Sequence, residues 1–339
     1  MSFKNHIASF QSLLLSKEYS ALQVHPYCKR YLQYLCDHSS YFLSIYAEVL
    51  EKVKSHSEKD WKQLCLVDYG AGNGLLGIFA KYCGVGKVFI NDISSEFIDA
   101  AVYLSEVLGV QIDGFIEGDI SNVSSYSNQH KIDAIIGTDV IEHIYNLDAF
   151  FFSVKEINPE MITVFTTASN PDNWFKLRKI RKLQLKDEFE GGNPEDSILF
   201  GSDSHESFLE MRKKIISENA PHLSNDEVLK LAKLTRGSNL NDIRKAILNY
   251  VHESSLPKEI THPTNTCNPI SGSWTERILT IKEYQQMYNQ NGFQIHLYNG
   301  FYDTDKNGVK NIINSIMNIS IRIFGRATAP YITLVGYRK

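Results

Sequence analysis

An α/β architecture on an open, largely parallel sheet is what this sequence predicts, and three observations predict it. From Leu64 to Gly77 the chain reads Leu-Cys-Leu-Val-Asp-Tyr-Gly-Ala-Gly-Asn-Gly-Leu-Leu-Gly, an apolar run that ends in a carboxylate and then a glycine-rich turn. From there to about residue 170, short apolar runs suited to buried strands alternate with helical stretches. After a long interruption the chain closes on Tyr331-Ile332-Thr333-Leu334-Val335-Gly336-Tyr337, a β-branched and aromatic run that reads as a last strand.

The first stretch carries the chemistry. Leu64, Leu66 and Val67 suit a short strand, the glycines a tight turn with close backbone approach to a ligand, and Leu75 to Tyr82 the helix that follows. The spelling is ambiguous by itself, because Gly72-Asn73-Gly74-Leu75-Leu76-Gly77 also satisfies the dinucleotide pattern G-x-G-x-x-G. Asp68 breaks the tie: at the strand tip, its carboxylate repels a pyrophosphate on the helix N-terminus and welcomes a cationic ligand. Asp68, Gly70, Gly72 and Gly74 spell Asp-x-Gly-x-Gly-x-Gly, which resembles motif I of the class I S-adenosylmethionine-dependent methyltransferases. The resemblance implies a Rossmann-like seven-stranded sheet. It also implies that the loop, with Ala71 and Asn73, cradles the methionine end of S-adenosylmethionine, which bears an ammonium and a sulfonium.

Composition is ordinary for a folded globular protein. A chain of 339 residues with 43% hydrophobic and 22% charged residues and a mean hydropathy of -0.24 has room for a core and additions. No apolar run reaches the roughly 18 residues that span a membrane, and the first residues lack a signal peptide's apolar region. The expectation is a cytoplasmic protein without membrane contact. Its five scattered cysteines form no C-x-x-C pair, so neither a disulfide framework nor a structural zinc site is expected. A net charge of -4 argues against a general nucleic-acid binder.

In chain order, residues 1–60 read as an N-terminal helical cap with Pro26 in the first turn of a helix. Tyr27, Tyr31, Tyr34, His38, Tyr41 and Ile45 recur at helical spacing, a stripe that either packs on the main domain or lines an acceptor pocket. Residues 61–170 form the first part of the core. A second strand, Lys87 to Asp92, ends in an acid roughly 20 residues past the glycine turn, the place for a ribose ligand, with Ile93 beside it. A helix from Phe97 to Leu108 leads to a third strand, Phe115 to Ile120, which contains Gly118-Asp119. By the resemblance Asp119, with Ile120, meets the adenine. A fourth strand, Lys131 to Thr138, runs into Asp139-Val140-Ile141-Glu142-His143. This Asp-x-x-Glu-His pattern resembles motif IV of many small-molecule methyltransferases, where Thr138 faces the cofactor. Met161 to Thr167 is a fifth strand.

Residues 171–278 read as a helical insertion, too long for a structureless loop, that folds on its own or covers the site as a substrate cap. Trp174 to Lys186 reads as a helix with Trp174, Leu177, Ile180 and Leu183 on one side and lysines and arginines elsewhere. Glu206 to Glu218, Asn225 to Thr235 and Asn241 to His252 read as further helices, capped by Ser204, Ser224 and Asn239 or Asn241. Residues 279–339 complete the core with a helix ending at Asn291-Gly292, a strand from Phe293 to Tyr298, a helix near Asn307 to Phe324 and the last strand. By the resemblance that strand inserts antiparallel to its neighbours.

The expected activity is methyl transfer to a small-molecule acceptor, a hydroxyl of a sugar or other metabolite, with a phosphate-bearing or glycan acceptor also compatible with the basic helix. His143 is the candidate general base, and Asp139 orients the acceptor or the cofactor's methionine end. His205, His262 and Glu276 show no metal-ligand spacing, so no metal is expected. The alternatives are a protein or RNA methyltransferase docking on the basic insertion, a non-catalytic cofactor-binding module, and an NAD-dependent dehydrogenase.

Overall fold

Seven runs of extended backbone make one sheet: β1 (Cys65–Tyr69), β2 (Lys87–Asp92), β3 (Gly114–Glu117), β4 (Ala134–Thr138), β5 (Ile162–Thr167), β6 (Gln294–Asn299) and β7 (Ile332–Tyr337). They lie in the order β3-β2-β1-β4-β5-β7-β6. The first five run parallel to one another, and β7 is antiparallel to both β5 and β6. Every residue of β1 and β5 is buried, as a strand with helices on both faces requires. β3 is shorter than its apolar run predicts, because Gly118 turns the chain at φ 120° and Asp119 begins a helix.

The computed structural model describes residues 2–19, 23–192, 206–304 and 308–338. The chain forms two compact units, one of Met1–Ile141, Leu147–Ala168 and Thr280–Lys339, the other of Glu142–Asn146 and Ser169–Leu279.

In the first unit, α1 (Ile7–Leu15), α2 (Pro26–Asp37) and α3 (Ser39–His56) precede the sheet. Pro26 opens α2, with His25 as its cap. The aromatic stripe is divided between two helices, because His38 leaves helical geometry at φ -122° and ψ 22°. Within the sheet region come α4 (Leu75–Tyr82), α5 (Ser95–Leu108), α6 (Ile120–Ser127) and α7 (Leu147–Ile157). The last two are absent from the sequence reading: α6 is short and serine-rich, and α7 hides its period in an aromatic run.

The second unit contains α8 (Trp174–Phe189), α9 (Phe208–Asn219), α10 (Asn225–Leu234) and α11 (Leu240–Glu253). Ser207, Ser224 and Asn239 cap the last three; the expected cap Ser204 lies outside the described residues. α8 departs from expectation. Its buried stripe is Ile180, Gln184 and Glu188, while Trp174 is exposed. The cause is a loop that α8 clamps: Gln184 Nε2 donates to the Thr275 and Glu276 carbonyls (both 2.9 Å), and its Oε1 accepts from Thr264 Oγ1 (2.6 Å). Glu188 accepts from Thr266 Oγ1 (2.7 Å) and pairs with the buried Arg212. The chain then returns to the first unit for α12 (Ile281–Gln290) and α13 (Val309–Phe324). Thr280 and Glu283 form the capping box of α12.

Candidate active site

β1 delivers Asp68 to the carboxyl edge of the sheet, where ligands of open α/β folds gather. Its side chain is 1% exposed, and Oδ2 accepts the Gly77 N–H at 2.7 Å. The carboxylate therefore sits under the first turn of α4. Burial pushes its pKa up to about 7, against the pull of the Gly77 bond, and the nearby charge of Asp92 adds to the rise.

The loop above it is shaped by glycine. Gly70, Gly72 and Gly74 have φ of 62°, 54° and 72°, a region L side chains rarely enter. Space forbids a side chain as well: a Cβ on Gly70 would lie 2.3 Å from Val140 Cγ2, and one on Gly74 2.8 Å from Ile90 Cδ1. The Ala71 N–H donates to the Asn91 carbonyl at 2.9 Å, and the buried Asn73 donates through Nδ2 to the Cys28 carbonyl, also 2.9 Å. The loop is thus pinned to β2 on one side and to α2 on the other.

Asp92 ends β2. It accepts the Gly72 N–H at 2.8 Å and the Ser94 N–H at 3.0 Å. Burial raises its pKa while these bonds pull it down. A carboxylate offers about four acceptor positions, so Asp92 keeps capacity for hydroxyl donors. Ile93, next in sequence, is 77% exposed at the strand tip. Asp119 takes a different post. It is the N-cap of α6, with Oδ1 accepting from the Ser121 N–H (2.8 Å) and Ser121 Oγ (2.6 Å); Ile120 is the first helical residue.

Thr138 ends β4, and Asp139 follows at φ 51°, left-handed backbone that Asp tolerates better than most residues. Its N–H donates to the Thr166 carbonyl at 3.0 Å, and Oδ1 accepts the Ala168 N–H at 3.2 Å. Burial first and the Asp139 charge second raise the pKa of Tyr31, and the same pair of causes raises Tyr34 and Tyr41. Three tyrosines of α2 and α3 therefore lie near enough to Asp139 to feel its charge. Tyr31 also reaches the glycine loop: a Cβ on Gly72 would lie 3.1 Å from its ring.

In the second unit, Glu142 and His143 run beside Trp274 to Arg277, with Trp274 N donating to the His143 carbonyl (3.3 Å) and Arg277 N to that of Glu142 (3.1 Å). His143 Nδ1 lies 2.8 Å from the Trp274 carbonyl oxygen. A carbonyl only accepts, so Nδ1 carries the proton, and Nε2 of the neutral ring holds the lone pair. One potential ligand atom each from Glu142, His143 and Glu276 lie within 4.8 Å of one another. Glu276 sits at φ 45° and accepts from Ser169 Oγ at 2.9 Å. Ligand spacing along the chain conceals this group, because Glu276 arrives from the far end of the insertion. His262 turns Nδ1 to the Thr264 and Asn265 N–H groups of its own loop. His205 lies outside the described residues.

No family model matches the chain. Among curated proteins it is similar to the ubiquinone biosynthesis O-methyltransferase of Rickettsia bellii, 28% identical over 130 residues, covering 38% of this chain and 52% of that protein. The corresponding protein of Rickettsia canadensis is 29% identical over 120 residues, 35% of this chain and 48% of its own. The chain spans about half the length of the curated relatives it matches. Among solved structures, a putative S-adenosylmethionine-dependent methyltransferase from Listeria monocytogenes aligns at a TM-score of 0.44 with 11% identity, covering 87% of this chain and 98% of that one. Magnesium protoporphyrin IX methyltransferase from Synechocystis aligns at 0.39 with 12% identity, covering 99% and 97%. In its strand order, its antiparallel seventh strand and its glycine loop, the chain has the Rossmann-like fold of the class I S-adenosylmethionine-dependent methyltransferases.

Proposed function

We propose that this protein binds S-adenosylmethionine and transfers its methyl group to a hydroxyl of a small-molecule acceptor, a sugar or other metabolite. The observation that carries the reading is the glycine loop hung between two buried strand-end carboxylates, Asp68 and Asp92. When bound, the cofactor supplies an electrophilic methyl group on a sulfonium. Asp68 suits its cationic end, Asp92 the ribose hydroxyls and the exposed Ile93 the flat base, with Gly70 to Gly74 giving close backbone approach; Asp119, Ile120 and Thr138 would complete the lining. The tyrosines around Asp139 offer faces for an organic acceptor, and Asp139 orients it. His143, with its proton on Nδ1 and its lone pair on Nε2, accepts the hydroxyl proton as general base. The relatives' printed name, an O-methyltransferase of ubiquinone biosynthesis, supports a hydroxyl acceptor.

Calorimetric titration with S-adenosylhomocysteine tests the cofactor. Micromolar binding that fails in Asp68→Ala, with none for NADH, is expected; preference for NADH restores the dehydrogenase reading. His143→Ala should keep that binding while turnover of a hydroxyl acceptor falls about 10²- to 10⁴-fold. The cluster of Glu142, His143 and Glu276 favours a second reading, in which these residues hold a divalent cation that assists deprotonation. Activity lost to a chelator, restored by a divalent metal and insensitive to metal in Glu276→Gln, selects it.

A further inference from the structure

The connection from β6 to β7 carries α13, and this helix is mounted inside out. Its polar side is fastened to the protein: Asn318 Oδ1 accepts the Tyr302 N–H at 2.7 Å and its Nδ2 donates to the Tyr302 carbonyl at 2.9 Å, while Asn314 Nδ2 donates to the Asp303 carbonyl. The outward side is apolar. Ile312, Ile313, Ile316, Ile319 and Ile323 are 52 to 69% exposed, and their three- and four-residue spacing makes them one stripe. Contiguous apolar surface of this kind marks an interaction face.

Charge says what the face meets. Residues 300–331, the connection that carries α13, hold Lys306, Lys310, Arg322 and Arg326 against Asp303 and Asp305, and α13 itself holds no acidic residue, in a chain whose net charge is -4. Lys310 and Arg322 are exposed, and at about 100° per residue they fall on either side of the isoleucine stripe. A stripe flanked by bases is the layout of a helix that lies in a bilayer's headgroup region. No helix among the described residues is long and apolar enough to cross a membrane. A second copy fits less well, because a two-fold contact would set these bases against themselves with no acid on the element to answer them.

We propose that α13 docks the protein on the surface of an anionic lipid bilayer. Thr167 of β5 and Asn299 of β6 both pair with Ile332, the first residue of β7. The α13 connection thus leaves the sheet at the carboxyl edge that holds Asp68 and Asp92. Docking therefore turns that edge toward the membrane surface.

Co-sedimentation of the full chain with vesicles of phosphatidylcholine, alone or mixed with phosphatidylglycerol, tests this. Binding is expected to the mixed vesicles, to weaken with salt, and to fall at least about tenfold in the double variant Ile316→Glu/Ile323→Glu. Both isoleucines are exposed, so circular dichroism should be unchanged. Lys310→Ala and Arg322→Ala should each cost about fivefold. Failure to sediment with either vesicle overturns the proposal, as does binding indifferent to headgroup charge. A lipid-free dimer in sedimentation velocity that Ile316→Glu/Ile323→Glu dissociates would assign the stripe to a second copy instead.

Discussion

The two units fill their interiors with different chemistry. In the first, one apolar cluster runs from Phe10 and Leu43 through Phe79 and Ile90 to Ile136 and Val335, and buried carboxylates stand at strand tips against backbone N–H groups. In the second, a smaller apolar group around Ile216, Leu231 and Ile243 is accompanied by a buried polar assembly in which Gln184, Glu188 and Arg212 are almost fully hidden. An apolar core gives up stability in increments as volume is removed. A polar network holds only while every member is answered.

The sharpest way to break this contrast is Glu188→Ala. It strands the Arg212 guanidinium in the interior, at a cost of about 3–5 kcal/mol, against about 1 kcal/mol for Ile136→Val in the apolar core. Thermal melts give the magnitudes, and hydrogen exchange in α8 and α9 shows where opening occurs. The double variant Glu188→Met/Arg212→Leu should recover most of the loss, and equal costs for Glu188→Ala and Ile136→Val would remove the distinction.

A smaller effect separates the buried acids themselves. Asp68 titrates near 7 in the fold against about 4 when unfolded, so between those values the native state binds the extra proton. Its contribution to stability is present below pH ~4 and lost as pH rises through ~7, on the order of 4 kcal/mol in all. Melts of the ligand-free protein should show that downward slope, and Asp68→Asn should flatten it; an unchanged slope would mean that Asp68 is ionised throughout. The smallest effect is local: Ser224→Ala opens the capping box with Glu227 and should cost about 1 kcal/mol in the second unit.

The same contrast governs what could be read from the residues. The glycine loop was legible because its demand is on the backbone, and few residues but glycine meet φ near +60°. The strands were legible because burial on both faces forces continuous apolar runs. The hidden face of α8 was not, since Gln184 and Glu188 look like solvent residues until the loop they bind is known. His143 and Glu276 meet through folding, not spacing, and α13 shows an amphipathic period that does not say which face turns inward. Asp119 shows the limit from the other side. An acid after a strand suits a ligand contact and a helix cap equally, and in the structure Asp119 caps α6 through Oδ1.

The bond from Asn73 to the Cys28 carbonyl, with Tyr31 against Gly72, has a consequence in time. A helix tethered to a binding loop is expected to set the pace of ligand entry, so that association is clocked by the protein as well as by collision. The observed rate of S-adenosylhomocysteine binding in stopped flow should then level off as concentration rises, and Asn73→Ala, which cuts the tether, should raise the plateau.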